Sequence, residues 1–131
     1  MISYGDLMKL AIEARKNSYS PYSGFAVGAA LLCDDGSVYT GCNIENAAYS
    51  PTNCAERTAF YKAVSEGQRN FKAIAIAGGK EELTTCYPCG VCRQVMSEFC
   101  LPDQFDVVCG VSGEAFEIIK LEELLPKSFQ L

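Results

Sequence analysis

Ala26-Val27-Gly28-Ala29-Ala30-Leu31-Leu32-Cys33, then Asp34-Asp35-Gly36, then Val38-Tyr39-Thr40-Gly41-Cys42-Asn43-Ile44-Glu45, is the stretch that decides the fold. The first run is small and apolar throughout, the pattern of a strand buried on both faces. Asp-Gly is hairpin chemistry, and the second run reads as the partner strand, from Val38 to about Glu45.

Working outward, Ser3 with Asp6 three residues later reads as an N-cap with an acidic first turn. Leu7, Leu10, Ala11 and Ala14 continue that helix to about Asn17, and Ser20-Pro21-Tyr22-Ser23-Gly24 is turn chemistry. On the other side, a helix is expected over Glu56–Glu66, closed by Gly67. A strand over Phe71–Ala77 ends at Gly78-Gly79, and a further helix runs from about Gly90 to Cys100, stopped before Pro102. Strands over Asp106–Gly110 and Ala115–Ile119 follow, then a helical turn over Leu121–Leu125. Strands interleaved with helices in this order predict an α/β fold, a mixed sheet of five strands flanked by helices, in one domain spanning 1–131.

Composition narrows the function. The 131 residues are 49% hydrophobic and 21% charged, with 11 basic against 16 acidic side chains and a net charge of −5. No basic stripe is present, which argues against a polynucleotide partner and for a small, weakly charged substrate. There is no histidine, so a general acid or base must be a carboxylate, cysteine, lysine or tyrosine. No apolar run approaches the roughly 18 residues of a membrane span. The opening Met-Ile-Ser-Tyr-Gly-Asp has no basic stretch leading into an apolar one, so a cytoplasmic, reducing setting is expected. Among the eight cysteines, Cys33, Cys42, Cys100 and Cys109 read as small core residues, and Cys86 as a spare thiol beside the site.

The remaining three carry the chemistry. Cys54-Ala55-Glu56 and the later Pro88-Cys89-Gly90-Val91-Cys92 offer three thiolates and one carboxylate. Three protein ligands leave one tetrahedral position of a Zn2+ ion open, the arrangement of a catalytic zinc rather than a structural one. Glu56 is then placed to move protons, the division of labour that defines zinc deaminases. Both ligand sets fall at expected helix starts, where unpaired N–H groups favour thiolates. Arg57 and Arg93, each just beyond a ligand-bearing segment, are expected to offset thiolate charge by hydrogen bonding to sulfur. Asn43 and Glu45, two apart on a strand, share a face and are expected to grip one substrate together. A turn role for Asn43 and an exposed charge for Glu45 are the alternatives that the residues alone leave open.

The chain resembles the small homotetrameric cytidine deaminases nearly end to end. The resemblance rests on Tyr19-Ser20-Pro21-Tyr22-Ser23, Phe25–Ala30, Gly41–Tyr49, Cys54–Ala59, Pro88–Val95 and Glu123-Leu124-Leu125-Pro126 with Phe129. It implies a three-layer α/β/α sandwich and hydrolytic deamination of cytidine and 2′-deoxycytidine in pyrimidine salvage, with one zinc per chain. Cys54, Cys89 and Cys92 then resemble the ligands and Glu56 the proton shuttle. Asn43 and Glu45 resemble the ribose binders, Phe25 the aromatic lining the nucleoside pocket, and Ala55 the residue whose backbone meets the base. Tyr49 and Phe129 resemble residues that reach a site across a subunit boundary, in a homotetramer. Tyr87 departs from the family pattern, which expects a small residue there, and its ring is expected to crowd the leaving-ammonia side. A deaminase of a cytosine-containing antibiotic nucleoside would share the zinc residues; the Asn43–Tyr49 block favours the ordinary nucleoside.

Overall fold

The computed structural model describes residues 1–131. In chain order it runs α1 (Tyr4–Ala14), a 3-10 turn (Arg15–Asn17), β1 (Ala26–Cys33), β2 (Val38–Cys42), α2 (Ala55–Ser65), β3 (Phe71–Gly79), β4 (Leu83–Thr84), α3 (Gly90–Phe99), β5 (Asp106–Gly110), β6 (Phe116–Lys120) and α4 (Leu121–Leu124). The main path of the sheet is β2-β1-β3-β5-β6, with β4 paired to β3. Only β3 and β5 are parallel; the remaining pairings are antiparallel. The sheet is therefore mixed, as expected, with six strands rather than five.

The pleat sorts the sheet into two cores. Ala29, Leu31 and Cys33 of β1, Ile74 and Ile76 of β3, and Val107 and Cys109 of β5 point to one side. There they meet Ala59, Phe60 and Ala63 of α2 and Cys92 and Met96 of α3. Ala30, Leu32, Ala73, Ala75, Ala77 and Val108 point to the other side, against Leu7, Met8 and Ala11 of α1. Strict period-two alternation along buried strands thus produces the three layers. Helix α1 starts at Ser3, whose side chain accepts from the Asp6 N–H, as its sequence predicts.

Two elements differ from the sequence reading, and both border the site. β3 does not stop at Ala77: Gly78 and Gly79 pair with Val27 and Ala26 of β1, and with Thr84 and Leu83 of β4. Gly79 has φ +155°, and a Cβ there would sit 2.0 Å from the Glu82 carbonyl oxygen. The glycine is what lets the chain fold back tightly as β4. β2 ends at Cys42 rather than Glu45, because Ile44 makes isolated bridges to Tyr19 and Asn53 instead of continuing the ladder. Gly41 of β2 faces α2 so closely that a Cβ would lie 2.6 Å from the Ala55 carbonyl oxygen. This close approach sets the N-terminus of α2 against the sheet edge.

Candidate active site

Two helix starts converge to build the site. Cys54 is the N-cap of α2 and Cys89 the N-cap of α3, both with extended backbone. The Cys92 backbone N–H donates to Cys89 Sγ at 3.5 Å, so one ligand sulfur sits on an unpaired donor of the first turn. Cys54 Sγ and Cys89 Sγ are 3.7 Å apart, and the sulfurs of Cys54, Cys89 and Cys92 all lie within 4.8 Å of one another.

That donor set fits zinc. A Zn–S bond of about 2.3 Å at the tetrahedral angle requires sulfurs about 3.8 Å apart. The Cys54–Cys89 separation meets this and is far too long for a disulfide; all eight cysteines are free. The Cys92 thiol beside it and the Arg57 guanidinium, working against burial, hold the Cys54 thiol down to about 5. Cys92, as the proton-bearing partner of that pair and itself buried, is pushed up. Arg57 Nη2 donates to Cys54 Sγ at 3.4 Å.

Glu56, in the first turn of α2, is 4% exposed. Burial, reinforced by the neighbouring Cys54 charge, raises its carboxyl to about 7. A carboxyl poised near neutrality can both take and return a proton. It lines a pocket of about 360 Å³ together with Cys54, Cys89, Ala55, Phe25 and Asn43. That volume lies in the range of small-ligand sites.

The other expected site residues fall into three groups. Phe25, Asn43 and Ala55 are brought to the same pocket as the thiolates. Glu45 and Tyr49 line a neighbouring open cleft of about 460 Å³ with Tyr22 and Ser23. β2 ends at Cys42, but Ile44 still bridges Tyr19 and Asn53; the flanking Asn43 lines the thiolate pocket and Glu45 the second cleft. The Glu45 carboxylate accepts from the Ser23 hydroxyl at 2.5 Å and from the Tyr22 and Ser23 N–H groups at 2.9 and 3.2 Å. Phe129 is exposed and does not line the pocket of its own chain.

Arg93 also needs correction. Its Nε donates to the Pro88 carbonyl and its Nη1 to the Leu124 carbonyl, each at 2.7 Å, rather than to a sulfur. It braces the chain before Cys89 against α4. Cys86 lines the pocket, but its thiol donates to the Thr84 carbonyl and stays outside the sulfur cluster. Sequence reasoning missed Thr84 and Thr85, which line the pocket from β4 and the residue after it. Gly78-Gly79 followed by a short polar segment and Leu83 was the available signal for a hairpin at that point.

Three cysteine sulfurs at converging helix starts, beside a buried carboxylate and a nucleoside-sized pocket, define a zinc-dependent hydrolytic enzyme. Residues 1–109 match the family model of the cytidine and deoxycytidylate deaminase zinc-binding region, and the chain belongs to that family. It is 51% identical over 127 residues to a cytidine deaminase of Sporosarcina psychrophila, covering 95% of this chain and 91% of that one. A cytidine deaminase of Halalkalibacterium halodurans is 52% identical over 123 residues, 94% of this chain and 91% of that one. The crystal structure of a cytidine deaminase from Burkholderia pseudomallei superposes with a TM-score of 0.89 at 42% identity, covering 98% of this chain and 100% of that one.

Proposed function

We propose that this protein hydrolyses the exocyclic amine of cytidine and 2′-deoxycytidine, giving the uracil nucleosides and ammonia, as a step of pyrimidine salvage. One observation carries the reading: Glu56, buried and poised near neutrality, shares a pocket with Cys54 and Cys89. Cys54, Cys89 and Cys92 would hold the metal. Zinc, when bound, supplies Lewis acidity that activates water at neutral pH.

The chain's own residues do the rest. Glu56 takes a proton from the attacking water and passes it to the ring nitrogen beside the amine-bearing carbon, which makes that carbon electrophilic. The water oxygen adds there, Glu56 takes the second proton from the newly added hydroxyl and delivers it to the amino group, and the C–N bond breaks to leave the carbonyl and ammonia. Phe25 offers an apolar wall to the nucleoside and Ala55 its backbone to the base edge. Asn43 and Glu45 bind the ribose, with Glu45 reached from the adjoining cleft. Arg57 draws charge from the Cys54 sulfur, so the three thiolates do not quench the metal's acidity.

The active assembly we propose is a homotetramer. Tyr49 is 77% exposed with φ +61°, and Phe129 is 66% exposed while the next residue, Gln130, donates to the Ser97 carbonyl at 3.1 Å. An aromatic side chain held outward on an anchored tail suits completion of a neighbour's pocket. No helix is long and apolar enough to cross a membrane. Eight free cysteines suit the reducing cytoplasm as the site of action.

The ultraviolet absorbance change of cytidine with zinc-replete protein tests the reaction. Steady conversion to uridine is expected; none, with one zinc bound per chain, would overturn the substrate assignment. Sedimentation tests the assembly, and a fully active monomer would remove Phe129 from any neighbour's site.

A further inference from the structure

One side chain reaches three carbonyl groups where two strands of the sheet end. Helix α1 packs on the face of the sheet opposite the site. It is seated on β1 so closely that a Cβ at Gly28 would lie 2.0 Å from the Ala11 carbonyl oxygen and 2.5 Å from the Arg15 nitrogen. From that seat the Arg15 side chain reaches the last pair of the β1–β3 ladder, Ala26 with Gly79. Its Nε donates to the Ala26 carbonyl at 2.9 Å, and its Nη2 to the Gly79 and Lys80 carbonyls at 2.7 and 2.6 Å. A planar, charged fork thus ties the two strand ends together where the backbone ladder stops.

Those strand ends carry the pocket. Phe25 and Val27, which flank Ala26, line it on one strand. Thr84, Thr85 and Cys86 line it after the turn that begins at Gly79-Lys80. The two sets meet over Gly78: a Cβ there would lie 2.9 Å from Cys86 Sγ and 3.1 Å from both Phe25 Cε1 and Val27 Cγ2. The reacting end of the pocket is braced separately, Cys54 by Arg57 and the chain before Cys89 by Arg93. We propose that Arg15 is a positioning residue, one that sets the spacing between the Phe25–Val27 and Thr84–Cys86 walls around the nucleoside; this rests on the deamination reading above. Without the fork the walls separate while the thiolates and Glu56 keep their places. Ground-state and transition-state binding then weaken together, and KM rises more than kcat falls.

Steady-state kinetics on cytidine, with the inhibition constant of the product uridine and the zinc content measured in parallel, test this in Arg15→Gln and Arg15→Lys. Arg15→Gln is expected to raise KM and the uridine constant about tenfold each with kcat within about threefold of wild type, since a substrate misplaced from afar loses up to about 100-fold. Arg15→Lys, which keeps the charge but not the planar fork, should move both constants part of the way. Lys16→Ala, one residue on and paired with Glu13 at 2.9 Å, should leave both unchanged. A merely structural role would lower the urea midpoint and the amount of active protein, with KM and the uridine constant unmoved. Both constants within about twofold of wild type in the Arg15 variants that fold, with zinc retained, overturn the proposal. Failure of both variants to fold also overturns it, and makes Arg15 a folding residue. Zinc-replete wild-type protein that fails on cytidine itself overturns the deamination reading, a result distinct from an unmoved KM.

Discussion

Arg57 reaches back one turn of α2 to donate to Cys54 Sγ at 3.4 Å, and its Nε is buried with no partner of its own. A guanidinium in that position is committed to the thiolate rather than to solvent. Three thiolates and one Zn2+ sum to −1, and Arg57 returns the cluster to neutrality. Replacing it by glutamine should lower zinc affinity about 10- to 100-fold, the usual effect of losing such a ligand partner. Competition with a chromophoric chelator measures this, and unchanged affinity with unchanged turnover would remove Arg57 from the role.

Asn43 knits the pocket wall before any substrate arrives. Its Oδ1 accepts from the Val27 N–H at 2.9 Å and from the Ser18 hydroxyl, and its Nδ2 donates to the Phe25 carbonyl at 2.8 Å. Asn43→Ala should therefore destabilise the fold by about 1–3 kcal/mol as well as weaken substrate binding. Asn43→Asp keeps the acceptor but opposes the Phe25 carbonyl with a second oxygen, so it should also be less stable. Urea midpoints of both variants check this, and a wild-type midpoint for Asn43→Ala would show the network to be dispensable.

The Ser23 hydroxyl, and then the Tyr22 and Ser23 N–H groups, hold the Glu45 carboxyl below its ordinary value. The folded state thus favours the ionised form. The stabilisation is present above the ordinary carboxylate range and is lost as pH falls through the lower folded value. Ser23→Ala should move the Glu45 titration upward toward that ordinary range. Carboxyl-carbon NMR reads it directly, and an unmoved midpoint would show that the hydroxyl contributes nothing.

How far the sequence could be read depended on whether a signal was local. The runs of β1 and β3 are long and apolar, and the Ser3 and Cys89 caps sit within a few residues of what they cap, so those elements were legible. The thiolates and Glu56 were legible for the same reason: each lies at the start of a helix the pattern predicts. β4 has two residues, too few for any periodicity, and exists because Gly79 lets the chain turn back. The two arginines show the limit of spacing arguments. Arg57 follows Cys54 by three residues and returns to the same helix face. Arg93 follows Cys92 by one, turns about 100° away, and meets the Leu124 carbonyl instead. The strand expected to reach about Glu45 ends at Cys42, because past it Ile44 makes only isolated bridges, to Tyr19 and Asn53.

Glu56 carries the strictest expectation. It is the one buried charged group in the chain, it lines the pocket, and no histidine exists to substitute for it. Glu56→Gln preserves shape and hydrogen-bonding capacity but cannot take a proton. It should keep one zinc per chain and a wild-type unfolding midpoint while losing about 10²- to 10⁴-fold in kcat, the range over which positioned acid–base groups act. If the loss instead appeared in KM alone, Glu56 would be a binding group and not a shuttle. Turnover near wild type would shift the proton to another pocket residue, and Cys86, whose thiol burial pushes up, is the first whose substitution should then be measured.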